Sequence, residues 1–236
     1  HTIVANNRLY NSANNRRFWK RVDTAGVFKK GATNISIANE KYEYPLDSDH
    51  IFVFNNICFR GPIAFGYCDR TGGSNSFSDI YISNNTCIDI VADPGVPMSL
   101  INFIRPNIPA TYRNIHISNN IFSIPSHKLS SIVELAVTSD RDAILSQAGI
   151  VTANNYWSAN PYKSGVHNFI SQNDNKVNAN LPVTISNITT LNDIKPARNS
   201  DLILTGDYKS FITKDFFGNT RLKHPGSNVG AIENIP

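Results

Sequence analysis

A chain of 236 residues, 41% hydrophobic and 17% charged, is long enough to bury the core of one domain, or at most two. Its 22 Lys and Arg against 18 Asp and Glu leave a net charge of +4, and the brief basic clusters Asn15-Arg-Arg-Phe-Trp-Lys-Arg21 and Phe28-Lys-Lys30 accompany no nucleic-acid fold motif, so no nucleic-acid partner is expected, while a pI near 8.9 equally suits an acidic polymer such as a uronate-containing polysaccharide. No apolar stretch approaches the ~18 residues of a membrane helix, and 31 Asn beside 13 Gly and 12 Pro make neither a disordered nor a collagen-like composition.

From the N-terminus onward, five segments share one pattern. They are Thr2-Ile-Val-Ala-Asn-Asn-Arg-Leu9, Ile51-Phe-Val-Phe-Asn-Asn-Ile-Cys58, Ile80-Tyr-Ile-Ser-Asn-Asn-Thr-Cys87, Ile115-His-Ile-Ser-Asn-Asn-Ile-Phe122 and Ile150-Val-Thr-Ala-Asn-Asn-Tyr-Trp157. The last four Asn pairs begin at 55, 84, 119 and 154, giving spacings of 29, 35 and 35 residues. A degenerate sixth copy, Asn34-Ile-Ser-Ile-Ala-Asn-Glu40, falls out of that spacing and predicts a register slip or an intervening loop.

Each copy alternates apolar and variable residues, the period of a strand with one buried face. A strand this short cannot bury a face alone. Recurrence at a fixed period stacks equivalent strands, so the expected class is all-β, a solenoid whose coils are β-strands. The Asn pair marks a corner: one residue there adopts the left-handed backbone conformation that Asn tolerates. Its amide then bonds to the amides of neighbouring coils at the ~4.8 Å strand spacing, forming an Asn ladder. Two residues beyond each pair, Leu9, Cys58, Cys87, Phe122 and Trp157 read as an inward column. His116 stands in register with Phe52, Tyr81 and Val151, which predicts an outward strand position.

Three cysteines, Cys58, Cys68 and Cys87, with no Cys-x-x-Cys and no paired His, argue against a disulfide framework and a structural zinc site. The sequons at Asn34, Asn84 and Asn187 are the number that chance gives so Asn-rich a chain. Short helices are predicted over 128–137, where Ser130-Ser-Ile-Val-Glu134 has a capping-box pattern, and over 188–194. Beyond 160 the periodicity fades. Gln172-Asn-Asp-Asn-Lys-Val-Asn-Ala-Asn180 reads as turn-rich, and Asp201-Leu-Ile-Leu-Thr-Gly-Asp207 as one more strand with a turn. The expected division is repeats over 1–160, followed by terminal coils and a cap over 161–236.

These repeats resemble those of the right-handed parallel β-helix superfamily, the pectate-lyase-like fold. A second likeness lies in Asp215-Phe-Phe-Gly-Asn-Thr-Arg221 and Asn228-Val-Gly-Ala-Ile-Glu233, similar to the closing segment of many secreted bacterial β-helix proteins, in which Pro is usual where Thr220 stands. The resemblance implies a right-handed parallel β-helix and a secreted, periplasmic or cell-surface protein acting on a polysaccharide or oligosaccharide. No resident cofactor is implied; Ca²⁺ would accompany a lyase. Because the first repeat starts at residue 2 with no capping element, the chain is expected to be the C-terminal part of a longer protein, or else to have its first edge covered by another chain.

A hydrolase on such a scaffold needs two carboxylates; a lyase needs a base and a group that neutralises a uronate carboxylate. Three loops carry the density for this. They are Gly66-Tyr-Cys-Asp-Arg-Thr-Gly-Gly73, Asp89-Ile-Val-Ala-Asp93 and the acidic stretch Glu40 to His50. The catalytic candidates are Asp69, Asp89 and Asp93, with Asp69 and Asp89 on neighbouring coils. Tyr67, Arg70, His50 and Arg105 are the substrate-binding candidates, and no metal ligands are assigned. Asp47 and Asp49 alone are too few for a Ca²⁺ shell. Cleavage of glycosidic bonds is the leading expectation, hydrolase ahead of lyase. A non-catalytic, tailspike-like or adhesin module that binds glycan is the rival.

Overall fold

The computed structural model describes residues 1–10, 34–39, 47–59, 63–68, 75–88, 98–104, 110–123, 129–135, 141–158, 170–178, 196, 200–203, 205–223 and 226–233. The first repeat contributes β1 (Thr2–Ala5), β2 (Arg8–Tyr10) and β3 (Ile35–Asn39), and the second β4 (Asp47–Phe54), β5 (Ile57–Phe59) and β6 (Ile63–Cys68). The third gives β7 (Asn75–Ser83), β8 (Thr86–Ile88) and β9 (Met98–Ile104), and the fourth β10 (Ala110–Ser118), β11 (Ile121–Phe122) and β12 (Leu129–Leu135). A helix, α1 (Arg141–Ala148), precedes β13 (Ile150–Ala153) and β14 (Tyr156–Trp157), and β15 (Ile170–Asn173) and β16 (Lys176–Val177) follow.

Each strand pairs in parallel with its equivalent in the next repeat. This gives three sheets, ordered β1-β4-β7-β10-β13-β15, β2-β5-β8-β11-β14-β16 and β3-β6-β9-β12. Successive strands of the chain enter different sheets, so every pairing within a sheet is a crossover. In the first sheet Ile51, Ile80, Ile115 and Ile150 align, as do Val53, Ile82, Ile117 and Thr152, and all eight are buried. In the second, Leu9, Cys58, Cys87, Phe122 and Trp157 align as the expected inward column, with Cys58, Cys87 and Trp157 wholly enclosed. The Phe122 and Trp157 rings stack 4.3 Å apart. Contact with the Cys58 thiol, together with burial, pushes the Cys87 thiol well up, so Cys87 is an inert core group.

The two members of each Asn pair divide the work that the sequence suggested for one residue. The first, at 6, 55, 84, 119 and 154, takes the left-handed conformation with φ between 52° and 57°. The second builds the ladder. Asn56 Nδ2 donates to Asn85 Oδ1 at 2.9 Å, Asn85 to Asn120 at 3.0 Å, Asn120 to Asn155 at 2.9 Å and Asn155 to Asn175 at 2.9 Å. The same oxygens also accept the backbone N–H of the preceding ladder residue, as from Asn56 to Asn85 at 3.0 Å.

Several sequence expectations need correction. The segment at 34–40 is not a slipped copy of the Asn-pair strand: Ile35–Asn39 forms β3 of the third sheet, paired with β6, and completes the first repeat. The stretch at 128–137 holds strand β12 rather than a helix, because Leu129–Leu135 finds a ready parallel partner in β9 and its Ile132-Val133 pair favours extended backbone. The 188–194 helix lies outside the described residues. The repeat also runs past 160: Ile170–Asn173, then Asp174 at φ 50°, then Asn175 on the ladder, so Asp-Asn replaces Asn-Asn. Among the described residues, 201–203 form a turn and Gly206 an isolated antiparallel bridge with Ser227, instead of a strand.

The closing segment does not continue the stack. It returns along the outer face of the second sheet, where Leu202, Val229, Ala231 and Ile232 pack on Ile57, Phe59, Ile88, Ile121 and Tyr156. The first asparagines of the pairs hold it: Asn55 Nδ2 donates to Lys214 O at 2.6 Å, Asn84 to Asn228 O at 3.1 Å and Asn119 to Asp207 O at 2.6 Å. Its two sequence motifs interlock. Asp215 accepts from the backbone N–H groups of Phe217, Asn219 and Glu233 at 2.7–2.9 Å. Arg221 meets Glu233 at 2.9 Å in a fully buried pair and donates to Asn55 Oδ1 at 2.7 Å. Burial pushes the Glu233 carboxyl up despite that partner, the usual outcome when desolvation outweighs Coulomb attraction. Gly230, at φ 91°, lies so close to Ile121 and Thr86 that no side chain fits.

Candidate functional site

The outward face of the first sheet carries the densest chemistry among the described residues. Strands β4, β7 and β10 bend at His50, Asp79 and Asn114, with φ of 49°, 54° and 54°, and Gly149 takes the same position before β13 with φ 56°. Each lies five residues before its Asn pair. Asn and Asp tolerate this conformation because their short polar side chains bond locally, and His is also enriched there. The ladder of pairing is interrupted at the bend and resumes at Ile51, Ile80 and Ile115.

Beyond the bend, Phe52, Tyr81 and His116 form an outward row, as expected for His116. Phe52 and Tyr81 stack at 5.1 Å and 8°, and Tyr81 and His116 at 5.1 Å and 6°. The ring faces of Tyr81 are therefore occupied by its neighbours, leaving edges and polar tips outward. Phe211, from the closing segment, roofs Phe52 at 5.1 Å and Tyr81 at 5.8 Å.

One hydrogen-bonded chain links bend and row. Asn114 Nδ2 donates to Asp79 Oδ1 at 2.5 Å and lies 3.4 Å from the Tyr81 hydroxyl, while Asn114 Oδ1 lies 2.6 Å from His116 Nε2. The polarity of this chain follows from the carboxylate, which only accepts. Asn114 must present its NH₂ to Asp79, so its oxygen faces His116, and His116 Nε2 must carry the hydrogen. The Nδ1 lone pair of His116 is then left to accept a proton. The Asn114 bond holds the Asp79 carboxyl below its ordinary value, so it is ionised at neutral pH. Burial, aided by the Lys209 charge, holds His116 below its ordinary 6.5, so it is neutral there.

At the edge of this face His50 Nδ1 lies 3.3 Å from Asp49 Oδ2, its ring meets His1 edge-on at 4.6 Å, and Ser76 Oγ donates to Asp47 Oδ1 at 2.5 Å. Of the sequence-selected residues, the structure therefore brings His50 onto the polar face. Tyr67 lies in β6, in register with Ala38 and Ile104. Asp69, Arg70, Asp89, Asp93 and Arg105 lie outside the described residues. Asp79, Tyr81 and Asn114 were missed, although a polar residue or Gly five positions before each of four Asn pairs was a signal in the sequence. Among the described residues no group of three or more His, Cys, Asp and Glu is placed to hold a metal ion, and no helix is long and apolar enough to cross a membrane.

Comparison with protein families, with characterised proteins and with solved structures finds no match to this chain.

Proposed function

We propose that the three parallel sheets are the faces of a right-handed β-helix, and that its outer first face cleaves glycosidic bonds of a polysaccharide. The handedness is supported by the near-universal right-handed crossover between parallel strands. The reading of function rests on one observation: the Asp79–Asn114–His116 chain, which fixes a neutral, half-buried imidazole with a lone pair directed away from its partner. Such a group is a general base. In an acidic polysaccharide it removes the proton from the carbon next to the uronate carboxyl. The electron pair forms a C=C bond, and the glycosidic C–O bond breaks with the oxygen leaving to take up a proton. Base-led elimination thus has more support than two-carboxylate hydrolysis, for which Asp69, Asp89 and Asp93 remain the candidates.

The test is incubation of the chain with polyuronates and neutral polysaccharides, following both reducing ends and the ultraviolet absorbance of the unsaturated product. Absorbance that grows with reducing ends and vanishes in His116→Ala supports elimination. Reducing ends without absorbance point to hydrolysis, and undiminished cleavage by His116→Ala removes the imidazole from the mechanism.

A further inference from the structure

The closing segment does more than cover the second sheet; its 207–212 turn borders the base. Asn119, three residues beyond His116, grips Asp207 from both sides: Asn119 Nδ2 donates to Asp207 O at 2.6 Å and Asp207 N–H donates to Asn119 Oδ1 at 3.0 Å. The turn closes through Ile212 N–H to Lys209 O at 2.8 Å, with Ile212 buried. Phe211 lies on Tyr81, whose ring stacks on His116. A turn pinned at both ends beside the imidazole carries one cation, Lys209. Its ammonium is 3.7 Å from Asp207 Oδ2, with the Lys209 side chain 27% and the Asp207 side chain 59% exposed. A contact of that length is looser than a good charge-assisted bond of about 2.8 Å and, at a surface, contributes little. An incoming carboxylate can replace Asp207 at little cost.

We propose that Lys209 is the specificity-determining cation of this face, receiving the carboxylate of an acidic sugar whose neighbouring C–H is presented to His116. The inference rests on His116 being the base. Its chemistry follows from the step: as the proton leaves, negative charge builds on the substrate carboxyl, and a partly desolvated ammonium stabilises that charge more than it stabilises the ground state. The same charge keeps His116 in its neutral form, as Lys209 is the largest contributor after burial to the depressed imidazole pKa.

The experiment compares wild type, Lys209→Gln, Lys209→Arg and His116→Ala on a polyuronate and on the same polymer methyl-esterified, with thermal unfolding of each variant to confirm its fold. Lys209→Gln is expected to lose about 100-fold in kcat/KM on the free acid, the loss typical of removing one transition-state donor. It should lose markedly less on the ester, whose carbonyl oxygen starts uncharged and gathers a single negative charge where the free acid gathers two, and Lys209→Arg should recover most of the loss. Equal activity of Lys209→Gln and wild type on the free acid, or equal losses on both polymers, overturns the cation assignment while leaving the base intact. A wild-type chain inert on both polymers overturns the reading of His116 and the inference together.

Discussion

Asn85, in the middle of the ladder, is the residue whose removal tests most directly what holds the repeats in register. Its Oδ1 accepts Asn56 N–H and Nδ2 at 3.0 and 2.9 Å, and its Nδ2 donates to Val53 O at 2.9 Å, Ser83 O at 3.2 Å and Asn120 Oδ1 at 3.0 Å. The amide has two hydrogens for three acceptors, so these contacts amount to about four full bonds. At about 1 kcal/mol net each, and with buried Asn56 N–H losing the Asn85 oxygen it donates to, Asn85→Ala is expected to cost about 3–5 kcal/mol. The control is Asn7→Ala at the exposed end of the ladder, where Nδ2 bonds Ala5 O and Asn56 Oδ1 at 3.0 Å each. Asn56 Oδ1 keeps the Asn7 N–H there, at 3.0 Å, so the cost should stay below about 1 kcal/mol. Asn85→Asp should be worse than Ala, since a second carboxylate oxygen would face two acceptors in a buried site. Urea unfolding with matched slopes reads all three. If Asn85→Ala and Asn7→Ala lose equal stability, or Asn85→Asp is tolerated, the ladder is not what specifies the stacking.

Other perturbations have equally definite outcomes. Gly230→Ala places a Cβ 2.5 Å from Ile121 Cδ1 and 2.7 Å from Thr86 Oγ1, whereas Gly218→Ala, at a similar φ of 86°, meets nothing within 4 Å. The first should cost about 2–5 kcal/mol and the second about 1–2 kcal/mol, measured as the difference in unfolding free energy. Arg221→Ala strands Glu233 in the interior and should cost about 3–5 kcal/mol near neutral pH. Because burial has already raised the Glu233 carboxyl, protonation relieves that cost, so the deficit of Arg221→Ala should shrink as pH falls and grow as pH rises through the raised value. The depressed His116 pKa puts the acid limb of kcat/KM below 6.5; Lys209→Gln should shift that limb upward and Asp79→Asn downward, since Lys209 lowers and Asp79 raises the imidazole value. For folding, the sign is that His116 protonates more readily when unfolded, so its contribution to stability declines as pH falls through 6.5.

The strands beside the Asn pairs were legible because alternation and a fixed turn residue coincide there. The inward column from Leu9 to Trp157 could be read without coordinates for the same reason. The third sheet was opaque: β6, β9 and β12 pair with bulges and lack a marker such as Asn-Asn, so Leu129–Leu135 looked helical until β9 supplied its partner. The strand after each pair held an unused clue. Ile57-Cys-Phe59 is apolar at successive positions, which requires burial on both faces, and the closing segment is what covers the outer one. His116 was placed outward correctly, but its role depends on Asp79 and Asn114. These lie on neighbouring strands 35 residues apart, joined by a hydrogen bond that no local pattern encodes.

A stack of repeats that touch only their immediate neighbours unravels from its ends, one unit at a time. The return of the closing segment changes that. Asn55, Asn84 and Asn119 belong to three successive repeats, and each bonds the same strap, at Lys214, Asn228 and Asp207. No one of these repeats can leave without breaking a connection to the other two. The central three are thereby expected to open as one cooperative block, with hydrogen exchange of their amides in concert, while β1 and β16 at the two edges fray independently.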